Sequence, residues 1–322
     1  MRFKVDALAV SLIVTMLVGC GGEGTTSAPP IITVPAFAPA TPVAAPTPPP
    51  APSTLTTSLS VRQNGVDYYQ SGWYIALNNN WGADKFGMVM GKDYTQKITY
   101  TPSLFPSATE FVWDYPDKPH GNGSEVYGYP SVAFGQTTLG LTGYNTNNAI
   151  AQVKNITKFT ELYDVTLGGD LQYMNLMHNM FFFGPDGKIA GEITFNVYPN
   201  DHIKYWADPA NFFGQQAGAH SHQVTMDGVR YNILVAPAYG IPDKKMFLVI
   251  PLGDSKTVRG TIDWMTVFDA LDDDHDISPD WFVKGVEMGV EVQAGNGSMK
   301  VNDFRVQVTY YNPTTATYTT IN

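Results

Sequence analysis

The sequence predicts an all-β domain built from two stacked antiparallel sheets, and three observations carry that prediction. Runs rich in Val, Ile, Thr, Tyr and Phe recur with a period of two. Gly, Asn, Asp and Pro turns separate them, as at Pro185-Asp186-Gly187 and Met226-Asp227-Gly228. The stretch with this composition, from Ser58 to Tyr311, is about 250 residues long, an ordinary size for a single β sandwich.

Ahead of the domain lies an address. Arg2 and Lys4 supply a positive charge, and residues 7–18 form an apolar run too short for a stable transmembrane helix. The run ends in Leu17-Val18-Gly19-Cys20, which resembles a bacterial lipobox, in which the cysteine is lipidated and becomes the new N-terminus. Residues 1–19 are thus expected to be a lipoprotein signal peptide; the alternative is an ordinary signal peptide with a chance cysteine. Cys20 is the sole cysteine, so no intramolecular disulfide can form and lipidation is its simplest role. The implied location is the bacterial cell envelope, outside the cytoplasm, with the protein tethered by lipid to the outer membrane or cell surface.

Residues 20–57 read as a linker. Ten of the 23 prolines fall between Gly21 and Thr56, among Ala, Thr and Ser. Such a segment buries too little apolar surface to fold and stays extended, at roughly 3.1 Å per residue. The folded domain is expected over residues 58–322. Within it, strands are expected at 72–77, 110–113, 172–183, 189–198, 229–236, 245–251, 283–293 and 299–310. One helix is expected at 261–271, with Trp264, Phe268 and Leu271 on one face and Thr261 as cap.

Two of these strands carry chemistry. Val286, Met288, Val290 and Val292 alternate with Glu287, Gly289, Glu291 and Gln293, so a row of polar groups faces away from the core. Ile189, Gly191, Ile193, Phe195 and Val197 likewise alternate with Glu192, Thr194, Asn196 and Tyr198. Outward glutamates are usually a solvated face. Here only 15% of residues are charged and 13% are aromatic, and this polar face lacks Lys and Arg, which suits a sugar better than bulk water. Paired carboxylates on a rigid sheet beside aromatic rings are what glycoside hydrolysis requires. A net charge of −10 without a basic cluster excludes nucleic acid and docking on anionic lipid. The chain has no Gly-rich phosphate loop, serine nucleophile elbow or paired CxxC.

The order of short motifs resembles glycoside hydrolase family 12, the β-jelly-roll endoglucanases and xyloglucanases, over nearly all of the domain. Asn78-Asn79-Asn80-Trp81-Gly82 is similar to the family's early Asn-Asn-x-Trp-Gly, and Trp113 followed by Val126-Tyr127-Gly128-Tyr129-Pro130 to its Trp-rich strand and Val-x-Ser-Tyr-Pro. Glu192-Ile193-Thr194-Phe195-Asn196 aligns with the nucleophile strand, and Gly228-Val229-Arg230-Tyr231 with the strand that follows. Gly289-Val290-Glu291-Val292-Gln293-Ala294-Gly295-Asn296-Gly297 fits the acid/base motif, the most specific of these matches.

The resemblance implies a jelly roll with a concave substrate cleft and a retaining endo-β-1,4-glucanase acting on cellulose-like, mixed-linkage or xyloglucan chains. Glu192 would be the nucleophile, kept ionised, and Glu291 the general acid/base, with a raised pKa. Asn79, Trp81, Trp113, Tyr129, Asn179, Thr194, Asn196 and Gln293 would line the substrate. Three positions depart from the family: Thr194 and Asn196 replace Met and Trp, and the aspartate beside the nucleophile aligns with Asn179, with Asn175 as the alternative. Glu287 shares the face of Glu291 and rivals it for the acid role; the glycine spacing favours Glu291. A glycan-binding lipoprotein on the same jelly roll, with hydrolysis weak or lost, is the alternative function.

No cofactor or metal is expected, and the partner is a β-glucan bound by a monomer. His220-Ser221-His222 puts two imidazoles on one face of an extended segment without an evident third ligand. Asp272-Asp273-Asp274-His275-Asp276 offers hard oxygen ligands for Ca²⁺ but reads better as a solvated acidic turn.

Overall fold

In the computed structural model, residues 57–58, 61–63, 66–120, 125–135, 150–206, 211, 219–237 and 244–322 are described. The segments expected to be signal peptide and linker, Cys20 included, lie almost wholly outside them. No helix of the described residues is long and apolar enough to cross a membrane.

Strands dominate. In chain order they are β1 (Thr57–Ser58), β2 (Val61–Gln63), β3 (Val66–Ser71), β4 (Tyr74–Asn79), β5 (Thr95–Tyr100), β6 (Thr109–Asp114), β7 (Tyr129–Gly135) and β8 (Ala151–Gln152). Next come β9 (Ile156–Gly169), β10 (Met174–Phe183), β11 (Ile189–Tyr198), β12 (His220–Met226), β13 (Val229–Pro237) and β14 (Lys245–Pro251). The last are β15 (Arg259–Asp263), β16 (Phe282–Val283), β17 (Gly285–Val292), β18 (Asn296–Asn312) and β19 (Thr317–Ile321). The eight strands read from alternation are all present, with ends shifted by a few residues.

Among the described residues the strands form two sheets. One has seven strands, ordered β1-β5-β6-β18-β9-β15 with β19 on β18. The other has twelve, its main path running β12-β13-β14-β11-β10-β17-β7-β4-β3-β2. Their facing sides enclose one core in which Phe111, Phe134, Phe182, Phe195, Phe247 and Phe304 are essentially inaccessible. Burying an aromatic of this size is worth about 2–3 kcal/mol, so the alternation of each strand fixes which face turns inward.

Turn chemistry agrees with the sequence. Asp227 and Gly228 both take positive φ, 48° and 76°, and close β12 onto β13 as a two-residue loop. Gly187, with φ 78°, donates its N–H to Gly184 O at 2.9 Å in the β10–β11 hairpin.

The helix expected at 261–271 is α3, Trp264–Asp272; two shorter ones, α1 (Trp81–Lys85) and α2 (Asp201–Trp206), precede it and were not expected. Thr261 is not the cap. It stays in β15, and Asp263 takes the role, its Oδ1 accepting from Met265 N at 3.1 Å. Trp264, Val267, Phe268 and Leu271 form the buried stripe.

Candidate active site

The outer face of the twelve-stranded sheet is lined by polar side chains that are nevertheless buried. Asn175, Asn179, Thr194, Asn196 and Glu287 are all less than a tenth exposed, and Glu192 and Glu291 are half-buried. Ile75, Leu77 and Ala133 form a second small apolar cluster on this side, separate from the main core. A polar strip beside an apolar wall is the lining of a cleft.

Three adjacent strands hold the chemistry, in the order β11, β10, β17. Asn179 on β10 faces Thr194 on one side and Glu287 on the other. Its Nδ2–H donates to Glu192 Oε1 at 3.1 Å. Asn175, two steps further along the same face beyond Met177, donates to Asn196 Oδ1 at 2.7 Å and to Glu291 Oε2 at 3.1 Å. Both asparagines weighed from the sequence therefore hold a carboxylate, Asn179 the nucleophile candidate and Asn175 the acid/base candidate. Asn196 is pinned in turn by donating to Thr194 O and Val249 O, each at 3.1 Å.

Register separates the carboxylates. Glu192 pairs with Phe181 and Glu291 with Asn175, whereas Glu287 pairs with Asn179 itself. Along β10, Glu287 is thus closer in register to Glu192 than Glu291 is. Glu287 is anchored by Ser131 Oγ on β7, a residue that sequence reasoning missed because nothing local marks it.

Burial is the largest influence on each of the three carboxyls. Desolvation pushes the Glu192 carboxyl up to about 7; the Asn179 hydrogen bond pulls it down, the Glu291 charge raises it and Lys244 lowers it. Glu287 is likewise pushed up to about 7, by burial and then by the Glu192 charge, against the Ser131 hydrogen bond. Burial raises Glu291 against the pull of Asn175. The raised Glu291 agrees with the expectation. A fully ionised Glu192 at neutral pH does not, because three carboxyls share one dry face.

Glycines let the floor close. A Cβ on Gly289 would lie 2.8 Å from Tyr129 Cε2 and 2.7 Å from Ser131 Cβ. Without it, Tyr129 lies across the strand and its hydroxyl reaches Glu287 O at 3.1 Å. At the neighbouring end, Gly82 packs on the Val126 carbonyl and Gly128 sits against Tyr115 Oη, Gln96 Oε1 and Asn79 O. The Asn-Asn-Asn-Trp-Gly and Val-Tyr-Gly-Tyr-Pro motifs therefore meet in space. Behind them a buried network, Asn78 to Gln96 to Tyr115, was not legible in the sequence.

Of the remaining expected lining residues, Asn79 is buried with its Oδ1 accepting from Trp81 N at 3.3 Å, and Trp81 opens α1 half-buried. Gln293 is buried, its Oε1 accepting from Asn200 Nδ2 at 2.7 Å. Trp113 is corrected. It belongs to β6 of the seven-stranded sheet and points into the main core, 1% exposed, because it shares the inward phase of Phe111.

No family model matches the chain. Endoglucanase S of Pectobacterium parmentieri is 22% identical over 261 residues, covering 80% of this chain and 90% of that protein. A family 12 xyloglucanase from Bacillus licheniformis, solved in complex with ligand, superposes with a TM-score of 0.57 at 20% identity, over 79% of this chain and all of that one. Endoglucanase 3 of Trichoderma harzianum, from the same family, gives 0.57 at 16% identity, over 80% of this chain and all of its own. The chain has the jelly-roll fold of these family 12 structures.

Proposed function

We propose that the chain is a retaining endo-β-1,4-glucanase of the family 12 kind, acting on a β-glucan and held at the cell envelope by lipid on Cys20. The observation that supports this reading is the placement of Glu192 and Glu291 on the two strands flanking β10, each carboxylate held by an asparagine of that strand. The likeness to endoglucanases and a xyloglucanase points the same way.

In this mechanism Glu192 attacks the anomeric carbon while Glu291 passes its proton to the departing glycosidic oxygen. A water then gives a proton back to Glu291 and breaks the glycosyl ester, so the β configuration is retained; such pairs work about 5–5.5 Å apart, which requires the two side chains to lean toward each other from register positions, Phe181 and Asn175, six residues apart on β10. A carboxyl raised by burial suits the donor role. The nucleophile must be ionised and the donor protonated, so Glu192, with a carboxyl near 7, sets the acid limb of the pH profile and Glu291 the basic limb.

Assaying Glu192→Gln on a panel of β-glucans is the direct test, with loss of all hydrolysis expected. A chain that binds glucan but shows no hydrolysis sensitive to this substitution would be a glycan-binding protein instead. Cys20→Ser is expected to release the protein from membranes, and a variant that still sediments with them would rule out the lipid anchor.

A further inference from the structure

Two features that the sequence left apart meet in space, away from the carboxylate cleft. His220 and His222 alternate along β12, the last strand on the main path of the twelve-stranded sheet, and the acidic run after α3 folds back against them. One nitrogen of each imidazole and one Asp274 oxygen lie within 4.8 Å of one another. Among the described residues no other group of three or more His, Cys, Asp or Glu converges in this way.

Asp276 supplies the support such a group needs. Its side chain is 2% exposed, and its Oδ2 meets His220 Nε2 at 2.6 Å and His222 Nε2 at 2.9 Å. Lys245 Nζ holds the other oxygen at 2.7 Å, which fixes the carboxylate and balances its charge. An imidazole that donates Nε2–H to a carboxylate carries its lone pair on Nδ1, as metal-ligating histidines commonly do. His222 Nδ1 lies 3.7 Å from Asp274 Oδ2, on the side away from Asp276.

We propose that His220, His222 and Asp274 bind one divalent transition-metal ion, of the zinc class, with Asp276 orienting both rings. Two imidazoles and one carboxylate select zinc and its neighbours over Ca²⁺ or Mg²⁺, which take oxygen ligands. Tetrahedral zinc, with bonds of about 2.0–2.1 Å, needs ligand atoms roughly 3.4 Å apart. The three atoms, within 4.8 Å of one another, must therefore close in by at most about 1.4 Å, and the Asp274 side chain, 66% exposed on a turn, has the freedom to do so. Water completes the shell. Bound there, the ion staples the turn after α3 to β12.

The test uses the full chain without an affinity tag, stripped with EDTA and titrated with Zn²⁺ against a chromogenic chelator. Uptake of one ion per chain is expected, with a rise in Tm that Ca²⁺ does not reproduce. Asp274→Asn, on an exposed turn, should fold normally and bind at least tenfold more weakly, and the His220→Ala/His222→Ala pair should lose the site. Co²⁺ in place of zinc should give the intense visible bands of a tetrahedral ion. Lack of stoichiometric uptake, or uptake unchanged in the double variant, overturns the proposal. Glucan hydrolysis is a separate readout, expected to be equal in stripped and loaded wild type, so this site and the proposed activity stand or fall independently.

Discussion

Asn179 donates its amide hydrogen to Glu192 Oε1 at 3.1 Å while standing directly opposite Glu287 on the next strand. One neutral donor is thereby placed between two carboxyls, each pushed by burial to about 7. An aspartate at this position would bring a third negative charge; the amide stabilises the ionised nucleophile without adding one.

Asn179→Ala removes that donor, and the Glu192 carboxyl should rise above about 7. If the ionised form attacks, the acid limb of kcat/KM moves to higher pH, by up to about one unit, with roughly tenfold loss well below the limb. A pH–rate profile checks this. An acid limb that stays in place would mean that Glu192 ionisation does not set it.

Gly289→Ala tests the floor. The added Cβ would lie 2.7 Å from the backbone oxygen of Pro130 as well as from Ser131 Cβ, so backbone and not only Tyr129 must give way. Overpacking of this kind costs about 1–3 kcal/mol. Urea unfolding should show a loss in that range, and glucan affinity should fall as Tyr129 is displaced. Unchanged stability would mean that the β17–β7 spacing is looser than described.

Alternation made β17 and β11 legible, because Val286, Met288, Val290 and Val292 leave no doubt about the inward phase. It could not tell which sheet a strand joins, so it offered no check on Trp113, which the family resemblance places along the substrate and which lies in the core. β9 escaped notice for a related reason. Glu161 sits at an inward position between Phe159 and Tyr163, 0% exposed, and breaks the apolar pattern. Its carboxylate is satisfied only by distant partners, His178 at 2.6 Å and Trp264 Nε1 at 2.9 Å. The convergence of residues 220–222 with 274–276 was hidden in the same way, since each half looks unremarkable without the other.

Stability should fall as pH rises through neutrality. Glu192, Glu287 and Glu291 all have folded pKa values above the ordinary 4.5, so the folded state binds protons more tightly than the unfolded one. Their favourable contribution is complete below about pH 4.5 and is lost on going up through about pH 7. For Glu192 and Glu287 the difference converts to at most about 3 kcal/mol each. Urea midpoints measured from pH 5 to pH 8.5 should decline, and Glu287→Gln should flatten part of the decline. A midpoint that rises over this range would contradict the assignment.

The proton donor is settled by comparing Glu291 with Glu287. The glycine-flanked motif and the Asn175 hydrogen bond favour Glu291, whereas register along β10 brings Glu287 closer to Glu192. With Glu291 as donor, Glu291→Gln should lower hydrolysis of natural glucans by about 10²–10⁴-fold and spare aryl glycosides, whose leaving groups need little protonation. Azide should restore turnover of Glu291→Ala and yield a β-glycosyl azide, because it attacks the glycosyl ester without a general base. Glu287→Gln should then keep activity within about tenfold and shift the acid limb of the profile downward, as Glu192 loses a like charge. Azide rescue of Glu287→Ala and not of Glu291→Ala would move the donor role four residues along β17, leaving Glu192 as nucleophile.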